Sequence, residues 1–131
     1  MIIWNSDIKD MVGKVFTSVT TDGYDTMTFK NDVESFKFYH SQDCCENVSI
    51  EAIVGDLSDL VGTPLLMAEE VSNDANDALQ AESEDSYDSC TWTFYKFATI
   101  HGYVDVRWFG SSNGYYSESV NLEHETFETL Q

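Results

Sequence analysis

The sequence predicts a β-rich α+β domain: a mostly antiparallel sheet or curved half-barrel of about six to seven strands with one main helix. Three observations carry this expectation. The chain has 131 residues, the size of a single domain able to bury a sizeable core. Hydrophobic residues make up 42% and aromatics 14%, apolar area that disordered acidic chains lack. The aromatics fall in runs where apolar and polar residues alternate, the period of a strand with one buried face.

The elements follow in order. Residues 14–20 (KVFTSVT) alternate, Thr21-Asp22-Gly23 breaks the run, and residues 25–30 (DTMTFK) resume it, which predicts a first hairpin. Asn31-Asp32 turns the chain into residues 34–40 (ESFKFYH), completing a meander. Between 48 and 61, Ile50, Ile53, Val54, Leu57, Leu60 and Val61 recur at three- and four-residue spacing, so the principal helix is expected from about 50 to 61. Gly55 weakens that helix internally and Gly62 ends it. After Pro64, residues 65–71 (LLMAEEV) begin another strand, and residues 72–90 read as an acidic loop within the domain. Residues 91–100 (TWTFYKFATI) and 103–109 (YVDVRWF) form a hairpin about His101-Gly102, and residues 110–114 turn the chain into a last strand, 115–122. With Ile100 opposite Tyr103, one face of the hairpin carries Tyr95, Phe97, Val104, Val106 and Trp108. The polar face carries Lys96, Asp105 and Arg107.

Charge constrains partners more than fold. The formal net charge is −18, and residues 69–88 hold eight carboxylates with no Lys or Arg: Glu69, Glu70, Asp74, Asp77, Glu82, Glu84, Asp85 and Asp88. Such a surface repels nucleic acid and anionic membrane and attracts basic protein. A solvated surface that serves only solubility, or growth in salt, has the same composition. The opening MIIWNSDIKDM has a short apolar start followed by Asp7, Lys9 and Asp10, neither a secretory leader nor a membrane span.

Catalytic and metal motifs are sparse. Cys44 and Cys45 are adjacent and Cys90 is the third cysteine, an uneven set that suits a reducing compartment. The run His40-Ser41-Gln42-Asp43-Cys44-Cys45-Glu46 concentrates reactive side chains. No second C-x-x-C or H-x-x-H pair completes a zinc set, however, and no orienting group marks a Cys–His nucleophile. Buried thiols packed as small hydrophobes, with polar neighbours capping a strand-to-helix turn, are expected there. No P-loop, dinucleotide fingerprint, G-x-S-x-G or H-E-x-x-H occurs, and residues 73–77 lack the glycine and glutamate of a calcium loop. Neither a cofactor nor catalytic residues are expected.

The segments HSQDCCE (40–46), GDLSDLVG (55–62), TWTFYK (91–96) and NGYYSES (113–119) together resemble a family of small uncharacterised acidic proteins encoded mostly by bacteriophages. The resemblance covers about half the chain. It implies a phage setting and brings no activity with it. In that setting the first expectation is a counter-defence or host-takeover inhibitor in the host cytoplasm. Its carboxylates, chiefly the eight of residues 69–88, would imitate the phosphate backbone and occupy a basic, nucleic-acid-binding host protein. The alternative is a small-molecule binder such as a nucleotide-signal sponge, stacking a base and meeting phosphate with Lys96, Tyr103, Arg107, Tyr115, Tyr116 and Ser117. An enzyme built on residues 40–46 has the least support.

Overall fold

Alternation does produce strands, and they close into two antiparallel sheets. The computed structural model describes residues 2–3, 6–42, 45–74, 89–112 and 117–127. In chain order its strands are β1 (Ile2–Ile3), β2 (Ser18–Thr21), β3 (Met27–Lys30), β4 (Glu34–Tyr39), β5 (Asn47–Val54), β6 (Met67–Asp74), β7 (Ser89–Thr99), β8 (Gly102–Ser112) and β9 (Asn121–Thr126). The first sheet has the order β1-β9-β4-β3-β2 and the second β5-β8-β7-β6.

The sheets meet through aromatic rings, because the inward positions of β3, β4 and β7 are Phe29, Phe36, Phe38, Tyr95 and Phe97, all buried. Across the interface Phe29 lies 4.8 Å from Phe97, and Phe38 lies 4.7 Å from Tyr95 and 5.7 Å from Phe97, between ring centroids. Tilted and edge-on pairs of this kind add to the free energy of area burial. Two short 3-10 turns, Ile8–Met11 and Leu57–Leu60, insert the fully buried Met11 and Leu60 into the core. Each is capped by an aspartate, Asp7 accepting from the Lys9 N–H and Asp56 from the Ser58 N–H.

The first meander forms as the sequence predicts, with β2 pairing β3 and β3 pairing β4. Its first strand is shorter than 14–20, and Val15 makes only an isolated bridge to Pro64. Asp22 builds the turn: its Oδ1 accepts from the Tyr24, Asp25 and Thr26 N–H groups, and the bond from Tyr24 foremost holds its carboxyl well below the usual range.

The helix expected from about 50 to 61 is absent. Residues 47–54 are strand β5, Gly55 follows at φ +114°, and only Leu57–Leu60 turns. A bulge explains the misleading period. Ile50 pairs with Trp108 and Ala52 with Arg107, so Glu51 is the extra residue, and Ile53 pairs with Val106. Ile50 and Ile53 therefore face the same way although three residues apart, which imitates a helical spacing inside a strand. At Gly55 a Cβ would meet the Tyr103 carbonyl oxygen at 2.6 Å, so the chain crosses β8 there only as glycine.

The C-terminal hairpin differs from expectation in register but not in facing. Thr99 pairs with Gly102, so Ile100 and His101 form the turn, and Tyr95 stands opposite Val106 instead of Trp108. A shift of two residues preserves the faces, and Tyr95, Phe97, Val104, Val106 and Trp108 are all buried. The last strand is Asn121–Thr126, not 115–122, and it joins β4 and β1 in the first sheet. Residues 117–120 have no regular structure, and Tyr115 and Tyr116 lie outside the described residues. Within the expected acidic loop 72–90, residues 72–74 belong to β6 and 89–90 to β7, while 75–88 lie outside the described residues. None of the described helices is long and apolar enough to cross a membrane.

Trp108 is 1% exposed at the centre of the second sheet. Trp108→Ala should cost about 3–5 kcal/mol in urea unfolding, and a loss well under about 1 kcal/mol would contradict this packing.

Candidate functional site

Directly opposed residues in an antiparallel sheet share a face, so the registers of the second sheet define its outward surface. One row across it is Ala52, Arg107, Phe94 and Val71; the next is Val54, Asp105, Lys96 and Glu69. Trp92 and Phe109 pair beyond them, with ring centroids 4.6 Å apart. Arg107 is fixed between these groups: its Nε donates to Glu51, the bulge residue, and its guanidinium lies 5.1 Å over the Trp92 ring. A shallow cleft of about 210 Å³ beside it is lined by Ala52, Val54, Phe94, Asp105, Val106 and Arg107. Sequence reasoning grouped Lys96, Asp105 and Arg107 correctly but took this face as polar. The missed signal is in TWTFYKF itself, where Trp92 and Phe94 occupy one parity and Tyr95 and Phe97 the other, the mark of a strand apolar on both faces.

Of the ligand-binding candidates, Lys96, Tyr103 and Arg107 share this outward face, because Tyr103 stands opposite Ala98 in the same parity. Ser117 does not join them. It lies in the 117–120 segment, which lines a separate cleft of about 330 Å³ with Glu70, Ser72, Thr91 and Thr93.

The acidic candidates divide. Glu69 and Glu70 are successive residues of β6 and project to opposite faces, Glu69 outward opposite Lys96 and Glu70 opposite Tyr95. Burial pushes the Tyr95 hydroxyl far up, and its hydrogen bond to Glu70 with that carboxylate's charge pushes it further. Glu70 therefore also satisfies a buried phenol. Asp74 ends β6, and Asp77, Glu82, Glu84, Asp85 and Asp88 lie outside the described residues.

The cluster at residues 40–46 is structural in a different way from that expected. It bridges β4 to β5, strand to strand and sheet to sheet. His40 donates from Nδ1 to the Ser119 carbonyl at 2.7 Å and is hydrogen-bonded through Nε2 to Glu46 at 2.7 Å, both side chains almost wholly buried. Gln42 donates to the Glu46 carbonyl at 2.7 Å. Cys45 is exposed and disulfide-bonded and Cys90 is a buried thiol, so packed thiols are not the role of Cys45 and the cysteine count no longer argues for a reducing compartment. Asp43 and Cys44 lie outside the described residues. Among the described residues no group of three or more His, Cys, Asp and Glu could hold a metal ion.

Two further buried carboxylates gave no signal in the sequence. Glu118 accepts from Thr91 Oγ1 at 2.8 Å and Ser112 Oγ at 2.5 Å. The segment can lie this close because residue 110 is glycine: a Cβ there would come 2.8 Å from the Glu118 carbonyl oxygen and 2.9 Å from its Cβ. Glu34 is bonded by His124 Nε2 at 2.8 Å and Lys14 Nζ at 3.1 Å, and His124 stacks on Phe36 at 4.0 Å. Burial alone would raise the Glu34 carboxyl; the bonds and charges of His124 and Lys14 outweigh it and hold the group below its usual range.

The family model for the Domain of unknown function (DUF7448) matches residues 9–122, from the first 3-10 turn into β9. The chain belongs to this family. No curated protein and no solved structure matches the chain. The matched span contains β2 to β8 and the start of β9, and with them the His40–Glu46 pair and the whole outward face of the second sheet, and the family description assigns no activity to any of them.

Two outcomes follow from the buried pairs. His40→Ala removes the ring that pairs with the buried Glu46 carboxylate and should cost about 3–5 kcal/mol in equilibrium unfolding, whereas a neutral result would show that the pair is not desolvated. For Glu34 the folded state holds the lower pKa, so its contribution is complete above the ordinary glutamate range and is lost as pH falls through that range toward the folded value. The stability gap between the wild type and Glu34→Gln should accordingly shrink on acidification in a series of urea titrations. A gap independent of pH would contradict the assignment.

Proposed function

We propose that this chain is a non-enzymatic phage accessory protein, acting in the host cytoplasm, that binds and blocks a basic, nucleic-acid-binding host protein by presenting carboxylates where that protein accepts phosphates. One observation carries the reading: in a chain of net charge −18, most carboxylates of the described residues are turned at least partly to solvent. Asp10, Asp22, Asp32, Glu51, Asp56 and Glu69 are exposed, whereas the buried Glu34, Glu46 and Glu118 each have bonding partners inside the fold. Carboxylates on a rigid β scaffold act on a cationic surface as fixed charges, and such charges steer association. Host takeover and counter-defence are both served by this chemistry, and neither requires a catalytic residue.

The grouping of Lys96, Tyr103 and Arg107 favours the second reading, a binder of a small nucleotide. Arg107 is already engaged by Glu51 and Trp92, and Lys96 stands between Glu69 and Asp105 in the ladder. A phosphate there would have to displace carboxylates against the field of the whole molecule, which ranks the nucleotide reading second.

The protein captured from infected cells should bind more weakly as salt rises, since exposed charges are screened over about 8 Å at physiological ionic strength, and nucleic acid should compete for it. Converting Glu69, Glu82, Glu84 and Asp85 to amides should slow association more than it speeds dissociation. Glu70 is left intact as the acceptor for Tyr95. Equal binding by the amide variant at low and high salt would contradict the mimic reading, and a low-mass nucleotide released on denaturation would favour the second.

A further inference from the structure

The outward face of the β5-β8-β7-β6 sheet is unlike the solvated face of an ordinary sandwich. With the inner face already packed on the first sheet, the outer one should alternate to polar residues. It carries instead the part-buried Trp92, Phe94 and Phe109, beside Val71, Val54 and Tyr103, which are 46%, 61% and 65% exposed. Tyr103 stands beyond the row of Asp105, Lys96 and Glu69, and the apolar surface contiguous on the other side of that row is of the kind that marks interaction sites. Its composition is that of an interface centre: aromatics dominate, and the arginine is held in place before any partner arrives, stacked on Trp92 and tied to Glu51.

We infer that this face is a protein-docking surface whose partner is cationic at its rim and apolar at its centre. Charge complementarity selects that occupant. On this face the acids Glu51, Asp105 and Glu69 outnumber the bases Lys96 and Arg107, and the chain as a whole carries −18. A second copy, an anionic membrane and nucleic acid are all repelled by that field, while a basic protein surface is drawn to it. Apolar anchors then supply what exposed charges in water cannot, since rim charges govern encounter more than residence. The inference rests on the acidic-partner reading and adds to it the place and chemistry of contact.

Two synthetic peptides of equal length and charge test it on the full chain, one alternating lysine with serine and the other lysine with leucine, by fluorescence anisotropy. The leucine peptide should bind roughly tenfold tighter or more, the ratio that separates an anchored contact from a purely electrostatic one. Val71→Ser with Tyr103→Ser, both exposed positions, should abolish that preference while leaving the serine peptide's affinity unchanged, and Phe94→Ser should do the same. Equal binding of the two peptides, or a preference that survives in all variants, would overturn the docking face and leave the acidic-partner reading standing. Failure of both peptides to bind would overturn both. Self-association in sedimentation that the variants abolish would assign the face to a second copy and likewise overturn the proposal.

Discussion

The structure depends on the contact of Phe29 and Phe38 with Tyr95 and Phe97 between the sheets. Short strands such as β2 and β3 are marginal as an isolated hairpin, and they hold only because their inward side chains are covered by the second sheet. The seam also decides every facing. With Tyr95 and Phe97 inward on β7, Val104, Val106 and Trp108 must be inward on β8, and Trp92, Phe94, Lys96 and Arg107 must be outward. The composition of the outer surface is a consequence of the aromatic core.

A chain this acidic folds by sorting its carboxylates. Exposed ones are solvated, at a cost spread over the surface. The buried ones are stitched to the places where the chain leaves one sheet for the other: Glu46 to His40 and Gln42 at the β4-to-β5 crossing, Glu118 to Thr91 and Ser112 at the β8-to-β9 crossing. His40 ties the two crossings together through the Ser119 carbonyl. Glu34 does comparable work between β4, β9 and Lys14. Such satisfied networks specify one arrangement of the connections, because each partner left alone would be a buried unpaired group.

What was legible in the sequence follows the period of its side chains. The first meander could be read because alternation there is unbroken, and the facing of the C-terminal hairpin because Val104, Val106 and Trp108 alternate with Asp105 and Arg107. β5 could not, since one bulged residue, Glu51, changes the spacing from Ile50 to Ile53 from two to three. The division into two sheets was hidden as well: nothing local distinguishes a turn into a neighbouring strand from a crossing to the opposite layer, and residues 117–120 make such a crossing. Of the site, Lys96, Tyr103 and Arg107 were read as companions, but the face was taken as polar and Trp92, Phe94 and Phe109 were left unassigned, since both parities of TWTFYKF are apolar. Glu69 and Glu70 are both exposed, as the sequence suggests, yet they point apart because neighbours on a strand do.

The second sheet is thus apolar on both sides, one for the fold and one for a partner, and two indoles report on the two sides separately. Trp108 faces the core and Trp92 the outside, each opposite a residue of the adjoining strand. The most direct measurement is a nitrogen-15 NMR titration of the full chain with the lysine–leucine peptide, following both indole N–H resonances and the amides of the two outward faces. The account expects the Trp92 indole and the amides of Phe94, Arg107 and Phe109 to shift progressively, with Trp108 and the outward residues Lys37 and Glu123 of the first sheet unmoved. Shifts confined to Lys37, Glu123 and their neighbours, with Trp92 unchanged, would contradict it.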